Sequence, residues 1–170
     1  MTRLRSLAAL LRHLALVAAI VLVVRVVVVL VRTPMSPEFF PDLATAGATR
    51  TQLWLATLLG LATLPVMLHV LMSMRRLFGH YSSGEVLSPL AAEALQSIGR
   101  GLLLLALLPL AIRPVQSVLL SWEAGPGQRM LAFRIHDEDI WLLLAAGLVT
   151  LVGWAMAEAA RVAEDNRGFV

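Results

Sequence analysis

The chain has 170 residues, 59% of them hydrophobic and 15% charged, with a net charge of +3 and a mean hydropathy of +0.82. Soluble domains are roughly half apolar and a quarter charged, so this composition excludes an ordinary water-soluble core. The charge is too small to argue for direct nucleic-acid binding, and the lack of cysteine excludes disulfides and thiol chemistry.

A membrane-spanning helix needs about 20 apolar residues. Four stretches qualify, at about residues 11–31, 53–72, 101–122 and 140–160. In hydrocarbon every backbone N–H and C=O has to be paired within its own segment, which makes each stretch a helix. The fold class read from this is all-α, an integral membrane four-helix bundle forming a single transmembrane domain over residues 1–170. Arg3, Arg5 and Arg12 precede the first apolar run, Leu14 to Val31. That run is longer than the about 7–15 residues of a secretory signal core, so an uncleaved first helix is expected.

The loop after the first span, Arg32 to Gln52, contains Pro34, Pro37 and Pro41 and reads as an extended cap, with Phe39 and Phe40 dipping toward the interface. Between the second and third spans, Ser88 suits an N-cap and Pro89 a first helical turn. Leu90, Ala91, Ala94, Leu95 and Ile98 recur on one face at helical spacing. An amphipathic cytoplasmic helix is therefore expected at about 88–99, ahead of Gly99-Arg100-Gly101 and the third span. In the last loop Gly125-Pro126-Gly127 is a turn, and Met130 to Ile135 reads as a short strand.

Orientation follows the arginines near the span ends. Eight of them (Arg3, Arg5, Arg12, Arg75, Arg76, Arg100, Arg161 and Arg167) fall on one side, and four (Arg32, Arg50, Arg129 and Arg134) on the other. The richer side is read as cytoplasmic, which puts both termini inside. Trp54, Trp122 and Trp141 fall at the opposite ends of their spans, as an aromatic belt requires.

Two arginines lie within the spans, Arg25 in the first and Arg113 in the third. Charges there cost at least ~2.5 kcal/mol and usually face a bundle interior or a cavity. The spans supply no carboxylate at that depth, so the expected partners are carbonyls and polar groups such as Gln116 and Thr150. Pro109 and Pro114 flank Arg113 and free carbonyls on the preceding turns. Arg25, Arg113, Gln116 and Thr150 are thus a candidate polar or anion site; the plainer reading is that the arginines snorkel to headgroups. Nearer the inner boundary His13, His69, Glu158 and Arg161 form a candidate charge cluster, with Arg12 and Arg75 close by. The cluster reads either as a proton relay or as an interfacial network pinning the helix ends. The run His136-Asp137-Glu138-Asp139 reads as a helix cap that complements the dipole. No catalytic, metal or cofactor motif is present, so no enzyme, metal or cofactor is expected. Small pairs at Ala15/Ala19, Ala56/Gly60 and Ala155/Ala159 allow close helix approach, inside the bundle or in a homodimer.

Two stretches carry a family resemblance. One is Leu77-Phe78 through Tyr81, Gly84-Glu85, Ser88 and Ile98-Gly99. The other is Glu158-Ala159-Ala160-Arg161, closing with Glu164-Asp165-Asn166 and Phe169-Val170. From Leu77 to Val170 the chain resembles the domain-of-unknown-function 2975 family of bacterial four-helix membrane proteins, with Leu87 where members usually have Phe. The resemblance implies a bacterial inner-membrane location and a regulatory partner, and it carries over no catalytic residue. Tyr81, Gly84, Glu85, Glu164, Asp165 and Asn166 are the candidate partner-docking residues. The function expected is a non-enzymatic interaction or regulatory module in the lipid bilayer, acting with a cytosolic regulator or a membrane partner. The alternative is a small transporter or solute- or anion-binding membrane protein, working as a dimer.

Overall fold

The computed structural model describes residues 2–32, 47–123, 131 and 135–167. Among them the chain is helical, with no strand. It forms α1 (Thr2–Arg32), α2 (Arg50–Gly60), a 3-10 turn (Leu61–Thr63), α3 (Leu64–Ser83), α4 (Pro89–Leu120) and α5 (Asp137–Arg167). Four helical stretches are long and apolar enough to cross a membrane, Arg5–Val28, Arg50–Ser83, Pro89–Leu120 and Asp137–Ala163. Of the strand expected at Met130 to Ile135, only Leu131 and Ile135 lie within the described residues, and neither is in a strand. The loop with Phe39 and Phe40 and the Gly125-Pro126-Gly127 turn lie outside them.

The helices run antiparallel and follow one another in a row. α1 packs on α3, α3 on α4 and α5 on α4, while α2 packs on α4. Among the described residues α1 and α5 share no packed interface, so the expected bundle is an open row with α4 as its hub. Small residues allow this packing. Among the described residues Ala8, Ala15 and Ala19 are buried on α1, and Ala146 and Ala160 on α5. Thr150 lies against Gly99, and Gln96 against Gly153. The pairs Ala15/Ala19 and Ala56/Gly60 thus serve internal contacts, whereas Ala155 and Ala159 are exposed. Large apolar side chains cover the outside, among them Val21, Val24 and Val28 on α1 and Leu144, Leu148 and Leu151 on α5.

The second span is broken where Pro65 enters. Proline cannot donate to the carbonyl four residues back and its ring crowds that carbonyl. Leu61–Thr63 tightens into the 3-10 turn that separates α2 from α3, and α2 packs on α4 rather than on α1.

α3 ends on Gly84, whose φ of 91° is the left-handed conformation that glycine adopts without a Cβ penalty. Its N–H donates to Tyr81 O at 3.2 Å, and that of Glu85 to His80 O at 2.9 Å, the paired bonds of a Schellman cap. Four residues later Ser88 Oγ accepts from Ala91 N at 3.1 Å and opens α4. The segment 88–99 is helical from Pro89, but it is the first third of α4 and not a separate surface helix; Gly99 and Gly101 lie inside the helix. Ala91, Ala94 and Ile98 are buried against Val70 and Leu77, with Leu95 packed beside them. Leu90 is exposed. This core sits at the end of the molecule that carries the α3–α4 turn. Arg5 lies over Gly84 and Tyr81 reaches Met156, so the start of α1 and the last turns of α5 lie at that end too.

Candidate functional site

The three groups of residues expected from the sequence are distributed over the row, and each takes its geometry from the helices beside it. At the end away from the α3–α4 turn, α4 carries Arg113 between Pro109 and Pro114 and stays helical through both. Arg113 Nη1 donates to Asp139 Oδ2 at 2.8 Å and lies 2.9 Å from His136 Nδ1. Asp139 Oδ2 also accepts the backbone N–H of His136 at 3.0 Å. Asp139 is the third residue of α5, where a carboxylate can reach back to the N-cap N–H. The capping expected of the 136–139 run is present, and it doubles as the seat of Arg113. The expectation that Arg113 lacks a carboxylate partner is therefore corrected. α5 begins at Asp137, and its antiparallel offset sets its first turn level with Arg113.

The other members of that candidate site point elsewhere. Gln116 Nε2 donates to Ala56 O at 2.8 Å and ties α4 to α2. Thr150 Oγ1 donates to Ala146 O within α5 at 2.8 Å, and its side chain lies against Gly99. Arg25 is exposed on α1. The four residues do not form one pocket.

The expected inner cluster is likewise divided. His69 Nε2 meets Ser97 Oγ at 3.0 Å, linking α3 to α4. Glu158 and Arg161 pair at 2.6 Å on the exposed face of α5, and His13 is exposed on α1. Among the described residues no side-chain hydrogen bond links His13, His69 and the Glu158–Arg161 pair to one another. Among the described residues no three His, Asp or Glu side chains gather as metal ligands.

Of the docking candidates, Tyr81 is half-buried, its hydroxyl 3.8 Å from Met156 Sδ. Gly84 is the helix cap. Glu85 is exposed and meets His80 Nδ1 at 3.2 Å. Glu164, Asp165 and Asn166 lie in the last turns of α5, with Asp165 exposed; the side chains of Glu164 and Asn166 are outside the described set.

Two features of the turn end were not singled out from the sequence. One is an open groove of about 630 Å³ between α1 and α3, which Arg12, Arg75, Arg76, His80 and Ser83 line. Its signal lay in the α3 spacing, since residues 72, 75, 76, 79, 80 and 83 share one helical face. The other is a cleft of about 140 Å³ between α3 and α4, with Ser73, Glu93 and Ser97 in its wall and Arg76 and His80 shared with the groove. Ser73 Oγ is buried there and makes no hydrogen bond.

No family model matches the chain, and no curated protein or solved structure is found to be similar to it.

Proposed function

We propose that this chain is a multi-pass protein of the bacterial inner membrane, with both termini cytoplasmic, that works as a non-enzymatic interaction or regulatory module. Three features support the membrane part. Four helical stretches suit a bilayer in length and apolarity. The large side chains facing outward along α1 and α5 are the kind that hydrocarbon solvates. The arginine-rich ends of the spans gather where the chain begins and where α5 ends.

One observation carries the interaction reading. The turn between α3 and α4 is held by a Schellman cap and a serine N-cap, yet it displays Leu87 at 64% and Leu90 at 57% exposure. α4 has 32 residues, about 48 Å at 1.5 Å per residue, against a hydrocarbon core of about 30 Å. With its far end at the outer interface, the turn stands clear of the hydrocarbon. A rigid turn with two exposed leucines beside Glu85 and Glu93 offers an apolar anchor with a charged rim, the anatomy of a protein-docking surface. The transporter alternative has less support, because Asp139 neutralises Arg113 and Arg25 stands apart from both.

The test has two parts. Reporter fusions at the two termini should both give cytoplasmic signals; opposite signals overturn the topology. The double variant Leu87→Ser/Leu90→Ser and a chain lacking residues 164–170 should insert normally. The leucine variant should lose a stoichiometric co-purifying partner that the wild type retains in mild detergent. Full retention by both variants removes the turn and the tail as docking sites.

A further inference from the structure

We propose that the groove between α1 and α3 binds a phosphate-bearing anion, through Arg12 from α1 and Arg75 and Arg76 from α3. This goes beyond the interaction reading and does not depend on it.

The argument starts from charge. Arg12, Arg75 and Arg76 line one groove, and among the described residues none of them makes a salt bridge. Like charges brought onto one surface repel, and a multivalent anion lying between them converts repulsion into attraction. Glu85 and Glu93, two carboxylates at this end, do not serve that purpose. Glu85 meets His80, which also lines the groove, at 3.2 Å and is itself exposed. Glu93 lies on the α4 side of Arg76, in the separate cleft. The α1 side of Arg76 is left cationic, so an anion belongs there.

Residue type narrows the ligand. A guanidinium presents a planar fork of donors that matches phosphate oxygens in pairs, and three forks can share one phosphate group. Ser83 also lines the groove, but its hydroxyl donates to His80 O at 2.9 Å, so the arginines supply the donors. Shape agrees with this. Gly79 lines the groove, and a Cβ built on it would meet nothing within 4 Å, so the groove is open over the α3 backbone at that point. Depth agrees as well, because the groove lies at the arginine-rich end of the spans, where a leaflet places its phosphates. The same chemistry is offered by an anionic lipid headgroup and by free phosphate.

The experiment uses the full chain purified in mild detergent. In one arm it is placed in nanodiscs of phosphatidylcholine with or without phosphatidylglycerol. Retained phosphatidylglycerol is counted by native mass spectrometry, and the melting temperature is recorded. In the other arm inorganic phosphate is titrated at matched ionic strength against chloride. The wild type should gain thermal stability in at least one arm. A gain with phosphatidylglycerol alone identifies a lipid headgroup, and a gain with inorganic phosphate identifies a site for the free ion. Arg12→Gln and Arg75→Gln should each weaken binding about fivefold, as expected for one arginine near an anionic surface. Gly79→Leu keeps every charge, has open space to occupy and should block the groove. Arg161→Gln, on α5 and paired with Glu158, should leave binding unchanged. The proposal is overturned if neither arm stabilises the wild type, or if Gly79→Leu and Arg12→Gln/Arg75→Gln bind as the wild type does.

Discussion

Arg113 on α4 and Asp139 on α5 meet at 2.8 Å, with the carboxylate only 11% exposed. The same oxygen holds the N–H of His136, so one atom fastens two helices and caps one of them. Asp139→Asn should therefore destabilise the fold by about 1–3 kcal/mol, the usual cost of leaving a half-buried polar partner unsatisfied. Arg113→Gln should cost a similar amount. The double variant Arg113→Gln/Asp139→Asn should cost less than the sum by about 1 kcal/mol, because the two groups are coupled. Thermal unfolding in detergent for the four proteins of this cycle measures the coupling; strict additivity would contradict the contact.

Glycine substitutions separate close approach from open space. A Cβ on Gly99 would lie 2.8 Å from Thr150 N and 2.9 Å from Thr150 Cα. These are backbone atoms and cannot swing aside. Gly99→Ala should push α5 from α4 at a cost of about 1–3 kcal/mol, as overpacking does. Gly147, on α5, has nothing within 4 Å of its Cβ position. Gly147→Ala should be neutral or stabilising by about 0.5–1 kcal/mol, through helix propensity alone. Melting temperatures that rank the two variants the other way would refute the α4–α5 interface.

Helix existence and capping were legible in the sequence because they are local. The apolar runs mark the four helical stretches long and apolar enough to cross a membrane, and Ser88-Pro89 marks the start of α4. Asp139 was legible as a cap for the same reason. Contacts between helices were less legible. Gly99-Arg100-Gly101 reads as a break in one dimension, yet in three it is where Thr150 and Val70 come close. The small pairs could be found by spacing, but which face meets a neighbour depends on helix rotation, and so Ala155 and Ala159 face outward. The Arg113–Asp139 pair depends on the offset of two antiparallel helices, which no local pattern encodes. Tyr81 reads as a candidate partner-docking residue, and its side chain is packed toward Met156. The arginine groove was half visible, since its α3 residues share a face but Arg12 comes from another helix.

Gln116 tests how α2 is held. Its Nε2 donates to Ala56 O at 2.8 Å, and both residues are buried. Ala56 and Gly60 are small, which lets the amide approach the α2 backbone. Gln116→Leu keeps the approximate volume and removes the donor. The expected loss is roughly 0.5–1.5 kcal/mol, the range of interhelical hydrogen bonds in membrane proteins. The change should be local. Amide exchange should accelerate in Arg50–Gly60, with little effect on α3, because the 3-10 turn already separates the two segments. Uniform acceleration across all helices would argue against this local role.

Ser73 is buried on α3, 1% exposed, and its hydroxyl makes no hydrogen bond. A buried hydroxyl without a partner costs free energy, whereas a methyl group in its place does not. Ser73→Ala should therefore stabilise the chain by up to about 1 kcal/mol. The neighbouring core of Val70, Leu77, Ala91, Ala94 and Ile98 is apolar, so the smaller side chain meets no polar group that depended on it. The cleft beside Ser73 also carries Glu93, Ser97, Arg76 and His80, which gives the same variant a second use. If it melts below the wild type in detergent, the hydroxyl is engaged by a group held in that cleft, and the gain expected from removing it disappears. If it melts above, Ser73 belongs to the helix-packing surface and the cleft takes no part in the stability of the turn end.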